Sequence, residues 1–125
     1  MNKQDKELIL KDLCARLPYW VIVNNPMTGD DDVLTYSLLD DFEEVNSDYP
    51  KPYLRPMSSM TMEEQKEWFE QGNVDYDCEF KPEPTVAVGF SHLSVDWLNA
   101  HHFDYRGLIK KGLALPAPEG MYEIN

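Results

Sequence analysis

The sequence predicts an α+β fold: one small domain in which an antiparallel sheet is covered by about three helices. Three observations carry that reading. Apolar residues recur at helical spacing between residues 3 and 17, and Tyr19-Trp-Val-Ile-Val23 has the β-branched and aromatic make-up of a strand. Thr61-Met-Glu-Glu64 has the spacing of a capping box, in which hydroxyl and carboxylate satisfy each other's backbone N–H groups at a helix start.

The first helix spans 3–17, with Leu10, Leu13, Cys14 and Leu17 on one stripe and Ile9 widening it; Pro18 stops it. Cys14 lies in that stripe and reads as a small core residue. A strand follows over 19–24, then a turn through Asn25, Pro26 and Gly29, then a second strand over 33–39 paired antiparallel with the first. Residues 40–56 carry acids and then prolines at 50, 52 and 56, so they read as irregular, with a short strand or turn near 42–45. A helix runs from 61 to 71 and stops at Gly72. Residues 73–84 read as a mobile acidic loop and 85–89 as a short strand. Ser91 or Ser94 caps a last helix over 94–105 that ends near Gly107, and 108–112 forms one more turn. An all-helical arrangement is the structural runner-up.

At 125 residues the chain fits a single domain, 1–125, able to bury about two-thirds of its unfolded surface. The apolar fraction of 42 % and fifteen aromatic residues can fill such a core. Cys14 and Cys78 are far apart and form no Cys-x-x-Cys pair. The N-terminus is charged, and the longest apolar run, 19–23, is too short to span a bilayer. These features point to the cytoplasm and away from a membrane. The net charge of −12 resides in the middle: residues 30–83 hold sixteen acids against four bases. Such a field opposes direct contact with nucleic-acid phosphates and suits a partner protein with a basic surface.

Few patterns carry chemistry. His101, His102 and Asp104 are the metal-ligand candidates; on a helix His101 and Asp104 share a face, whereas His102 diverges by about 100° and falls on a buried stripe with Val95, Leu98 and Tyr105. The acids Asp30 to Asp32 with Asp40, Asp41, Glu43 and Glu44 lack the spacing of a calcium loop and read as solvated. Ser58 and Ser59 lack the glycines of a nucleophile elbow and read as helix-start signals, and Arg55 reads as a structural residue that makes an ion pair or binds backbone carbonyls. The glycines stand singly, so no phosphate-binding loop is present and no cofactor is expected.

Three blocks together, Lys11-Asp-Leu-Cys-Ala-Arg-Leu-Pro-Tyr19, Lys51-Pro-Tyr-Leu-Arg-Pro-Met-Ser-Ser-Met-Thr61 and Asp96-Trp-Leu-Asn-Ala-His-His-Phe-Asp-Tyr-Arg-Gly-Leu-Ile109, resemble an uncharacterised family of small proteins from gut Bacteroidetes and their phages and prophages. Residues 20–50 and 72–92 carry no part of the likeness. The resemblance implies a cytoplasmic bacterial or phage protein and no particular activity. In that family a Gly often follows the Tyr matching Tyr19; here it is Trp20, so the first turn into the sheet differs.

The leading functional expectation is a non-enzymatic accessory protein that binds a host or phage protein through Asp40, Asp41, Glu43, Glu44, Tyr53 and Trp68, since aromatics on a one-signed surface suit protein recognition. The alternatives are a small metal-dependent hydrolase or nuclease built on His101, His102 and Asp104, and an acidic nucleic-acid mimic that blocks a DNA- or RNA-binding protein. Oligomeric state is not legible in the sequence.

Overall fold

The computed structural model describes residues 2–26, 28–45, 49–71 and 92–122. The expected segments at 73–84 and 85–89, and Ser91, lie outside the described residues. Helix α1 is Lys3–Arg16. It starts at Asn2, whose side chain accepts from the Asp5 N–H at 2.7 Å. Pro18 falls in a single 3₁₀ turn, Leu17–Tyr19, and Trp20 then adopts the left-handed conformation (φ 57°, ψ 46°) that swings the chain into the sheet. The buried face of α1 is Ile9, Asp12, Leu13 and Arg16. That face is rotated from the apolar stripe read in the sequence, because two of its four members are charged. Cys14, expected in the core, is exposed.

Strand β1 (Ile22–Asn24) and strand β2 (Asp31–Val33) pair antiparallel, with Val23 opposite Asp32. Between them Gly29, at φ 78°, donates to the Asn25 carbonyl at 2.7 Å, and Asn25 closes on Asp30. The hairpin is as expected, but its second strand ends at Val33. Residues 36–45, expected to be strand and then irregular, form helix α2 (Tyr36–Val45). Thr35 decides this: its hydroxyl accepts from the Leu38 N–H and its carbonyl from the Leu39 N–H, which starts a helix. Leu34, just before the helix, and Leu39, in its first turn, are both buried.

Strand β3 (Lys51–Leu54) was hidden by its prolines. It pairs antiparallel with β1, Val23 opposite Pro52. It pairs parallel with β4 (Leu115–Pro116), and that register begins at Tyr53, one residue past Pro52. The sheet is therefore mixed, not purely antiparallel, in the order β2-β1-β3-β4. A 3₁₀ turn, Met57–Ser59, leads into α3 (Met62–Gln71). The capping box is present in full: Glu64 N–H to the Thr61 hydroxyl at 3.1 Å, and Thr61 N–H to the Glu64 carboxylate at 3.0 Å.

Helix α4 is His92–Ala100, shorter than the expected 94–105, and Ser94 lies inside it rather than at its start. Its end explains the difference. The Phe103 N–H reaches the Leu98 carbonyl (2.9 Å) and the His102 N–H reaches the Asn99 carbonyl (3.1 Å), the two bonds of a Schellman cap. His102, at φ 64°, occupies the left-handed position that usually falls to glycine. Residues 108–112 make the extra turn as expected. It closes with the same two bonds, Leu113 to Leu108 and Gly112 to Ile109, and here Gly112 (φ 75°) takes the left-handed position.

Two apolar clusters result. Ile9, Leu13, Val21, Val23, Leu54 and Leu108 anchor the first, on α1 and the sheet. Met57, Met60, Trp68, Trp97, Leu98 and Phe103 form the second, between α3 and α4. Burying each large side chain stabilises by about 1.5–3 kcal/mol. A polar network ties the clusters together. Asp12, fully buried, accepts from Arg16 Nε at 2.9 Å and from Arg106 Nη1 at 2.7 Å, while Arg16 Nη2 donates to the Phe103 carbonyl at 2.6 Å. Asp12→Ala would leave Arg16 buried without its counter-charge, so we expect a loss of about 3–5 kcal/mol in urea unfolding. Thr61→Ala, which removes only a cap, should cost about 1 kcal/mol. Equal effects from the two substitutions would refute the central role of the Asp12 network.

Candidate functional site

The expected site residues do not converge. With α4 ending at Ala100, the helical face shared by His101 and Asp104 does not form. His101 stacks on Trp97 at 4.1 Å between ring centroids, and His102 stacks on Tyr122 at 3.8 Å. Asp104 turns inward, and its carboxylate accepts from the backbone N–H groups of Leu108 (2.8 Å) and Ile109 (3.0 Å), capping the turn at 108–112. Among the described residues no three His, Cys, Asp or Glu side chains group in a way that could hold a metal ion.

The proposed partner surface is also redistributed. Trp68 is 0 % exposed and forms part of the second cluster, so it is core and not a contact residue. Tyr53 is held by the sheet, and its hydroxyl donates to Asp31 at 2.8 Å. That bond to a carboxylate raises the Tyr53 pKa. Asp40 is exposed on α2, and Asp41, Glu43 and Glu44 lie along the same helix rather than on an irregular loop.

Two depressions flank Tyr122. The first, about 470 Å³, is lined by Arg55, Ser59, Glu64, Pro118, Glu119 and Tyr122. Its central polar groups already have protein partners. Arg55 forms a bidentate pair with Glu64 at 2.8 and 2.7 Å, as the ion-pair reading expected, and lies 4.1 Å above the Phe103 ring. Ser59 donates to the Pro56 carbonyl at 2.6 Å. Burial pushes the Glu64 carboxyl up, but the Arg55 and Thr61 bonds outweigh it and leave its pKa below the usual value. Glu119 is the remaining acid on its wall.

The second depression, about 400 Å³, is lined by Pro18, Tyr19, Trp20, His102, Met121 and Tyr122. Its wall contains no acid and no permanent charge. Trp20 is 76 % exposed, and among the described residues Trp20 and His102 are the non-glycine residues with positive φ. Each costs about 1–2 kcal/mol of backbone strain. Tyr122 fixes the floor: its hydroxyl accepts from the Ile22 N–H at 2.9 Å and donates to the Tyr53 carbonyl at 2.7 Å, between β1 and β3. Burial pushes the Tyr122 hydroxyl up to about 12, so it stays a donor. Nδ1 of His102 is shielded and has no hydrogen-bond partner among the described residues. Burial, helped by the charge of Arg16, takes the His102 pKa down to about 4, so its ring is neutral at pH 7.

The sequence reading passed over Trp20 and Tyr122. A signal was present for Trp20. Many helices end on a left-handed residue, usually Gly or Asn, and neither stands between Arg16 and Ile22. Tyr122 has no such signal, because its partners are 69 and 100 residues away.

The chain matches no family model, no curated protein and no solved structure. No helix among the described residues is long and apolar enough to cross a membrane.

The neutral, shielded His102 sets a pH dependence. The unfolded chain takes up this proton near 6.5 and the folded chain only near 4, so stability present above pH 6.5 is lost as pH falls towards 4. His101, also lowered by burial, acts in the same direction. His102→Asn keeps a residue that tolerates the left-handed backbone and should flatten this loss by roughly 2 kcal/mol, after discounting for partial exposure. Urea midpoints of both proteins between pH 7 and 4.5 provide the check; parallel curves would contradict a neutral, shielded His102.

Proposed function

We propose that this chain is a non-enzymatic protein-binding accessory protein, of the bacterial or phage kind that its resemblance implies, and that it recognises its partner at the Trp20 groove. The observation that carries this reading is Trp20 itself. A large apolar side chain stands 76 % exposed on a strained backbone. Such an arrangement contributes little to folding and costs conformational energy, which is the usual mark of a residue retained for contact. The other wall of the same groove is the second strained residue, His102, locked by its stack on Tyr122. A rigid aromatic wall loses little entropy on binding. The acidic surface then steers a basic partner towards the groove and sets its salt dependence.

The test separates contact from folding. Trp20→Asn relieves left-handed strain while removing little buried area, so stability should hold or rise by about 1 kcal/mol. The same substitution should abolish recovery of any salt-sensitive partner by affinity purification from cells that naturally encode the protein. A variant that loses stability, or that retains the partner, would show Trp20 to be ordinary packing.

A further inference from the structure

We infer that the occupant of the Trp20 groove is a short, extended, proline-containing segment of a partner protein that also carries basic residues. This deepens the protein-binding reading and rests on it. The groove is lined by the rings of Tyr19, Trp20, His102 and Tyr122 together with Pro18, and one face of Tyr122 is already taken by its stack on His102. Flat aromatic faces pack against pyrrolidine rings, and a polyproline segment arrives already extended, so it loses little conformational entropy on docking. The volume of about 400 Å³ is too small for the face of an amphipathic helix and suits one or two such rings.

Other modes of recognition fit less well. Strand addition needs an open sheet edge. Here one edge strand carries Asp31 and Asp32, and the other has two residues, one of them Pro116. A second copy of this chain would bring −12 against −12, and an anionic membrane or nucleic acid meets the same repulsion. Charge complementarity therefore selects a basic occupant. The neighbouring hollow gives that charge a place. It shares Tyr122 with the groove and presents Glu119, whereas Arg55 on its wall is already neutralised by Glu64. A proline ring seated between Trp20 and Tyr122 would lead a following Arg or Lys towards Glu119.

Trp20 supplies the probe, because Trp68 and Trp97 are buried and acrylamide quenching of the native protein reports chiefly on the exposed ring. A short synthetic peptide of repeating Pro-Pro-Arg is titrated into the full chain, followed by quenching and by calorimetry. Protection of Trp20 is expected, with affinity falling at high salt. Replacing the peptide's prolines by alanine should weaken binding at least about tenfold. Replacing its arginines by glutamate should abolish binding, as should Trp20→Asn in the protein. Tyr36→Ala, at an aromatic residue 75 % exposed on α2, should bind as the native chain does. Absence of binding at millimolar peptide, or equal binding by the proline-free peptide or by Trp20→Asn, overturns the inference. Self-association in sedimentation velocity that disappears in Trp20→Asn also overturns it, by making a second copy the occupant. If the natural partner is recovered through Trp20 while the peptide is ignored, the protein-binding reading stands and only the proline-and-base chemistry falls.

Discussion

The fully buried carboxylate of Asp12 holds the two apolar clusters in register. It lies on α1, whose neighbouring Ile9 and Leu13 belong to the first apolar cluster. Its two guanidinium partners lead elsewhere. Arg16 continues to the Phe103 carbonyl in the second cluster, and Arg106 comes from the loop beyond α4. A carboxylate at this depth needs partners for its oxygens, and each of them accepts one guanidinium bond. The arrangement carries an excess of positive charge, with two guanidinium groups on one carboxylate, and Tyr105 helps absorb it. The guanidinium carbons of Arg16 and Arg106 lie 5.3 and 4.6 Å from that ring's centroid. Arg16 Nη1 remains shielded without a partner among the described residues, a cost of about 1–3 kcal/mol that the network offsets.

Because Phe103 is held by Arg16 and Leu98, α4 cannot run past Ala100. The chain must reverse within two residues, and the residue at the reversal is His102. The same cap occurs again ten residues later with Gly112 in the equivalent place. Both positions demand positive φ, but glycine meets that demand without strain and histidine does not. Gly112 has nothing near its missing side chain, whereas His102 stacks its ring on Tyr122. The strain at His102 thus coincides with a contact that glycine could not make, and that contact fixes Met121 and Tyr122 as one wall of the groove.

Where local chemistry decides conformation, the sequence was readable. The capping box at Thr61, the stop at Pro18, the turn through Gly29 and the turn at 108–112 all depend on residues within a few positions of one another. Where distant partners decide, it was not. Leu34 to Leu39 satisfies strand composition and helical spacing alike, and only the Thr35 cap separates them. Pro52 argued against a strand that its neighbour β1 nevertheless recruits, because the ladder to β4 begins past the proline. The buried face of α1 was misplaced because Asp12 and Arg16 look solvent-facing until Arg106 and the Phe103 carbonyl, roughly ninety residues on, supply their partners. Trp68 was placed on the surface for a related reason. The acids around it, Glu63, Glu64, Glu67 and Glu70, dominate local composition, yet Glu64, one turn before Trp68, is itself half-buried against Arg55 and Thr61.

Segment 96–109 crowds aromatic, acidic and basic side chains into fourteen residues, among them the metal-ligand candidates His101, His102 and Asp104. Most of them are consumed by architecture: Trp97 by its bond to Glu67 and its stack on His101, Asp104 by the cap at Leu108, and Arg106 by Asp12. His102 has no hydrogen-bonding duty for its Nδ1 among the described residues and faces the groove. Across that groove stands Trp20, the other residue held in a conformation that costs energy. Two independent turns, one ending α1 and one ending α4, each place a strained aromatic ring on the same hollow. Glycine or asparagine would meet the backbone demand at both positions without that strain, but neither would supply the ring that each residue adds to the lining of the hollow.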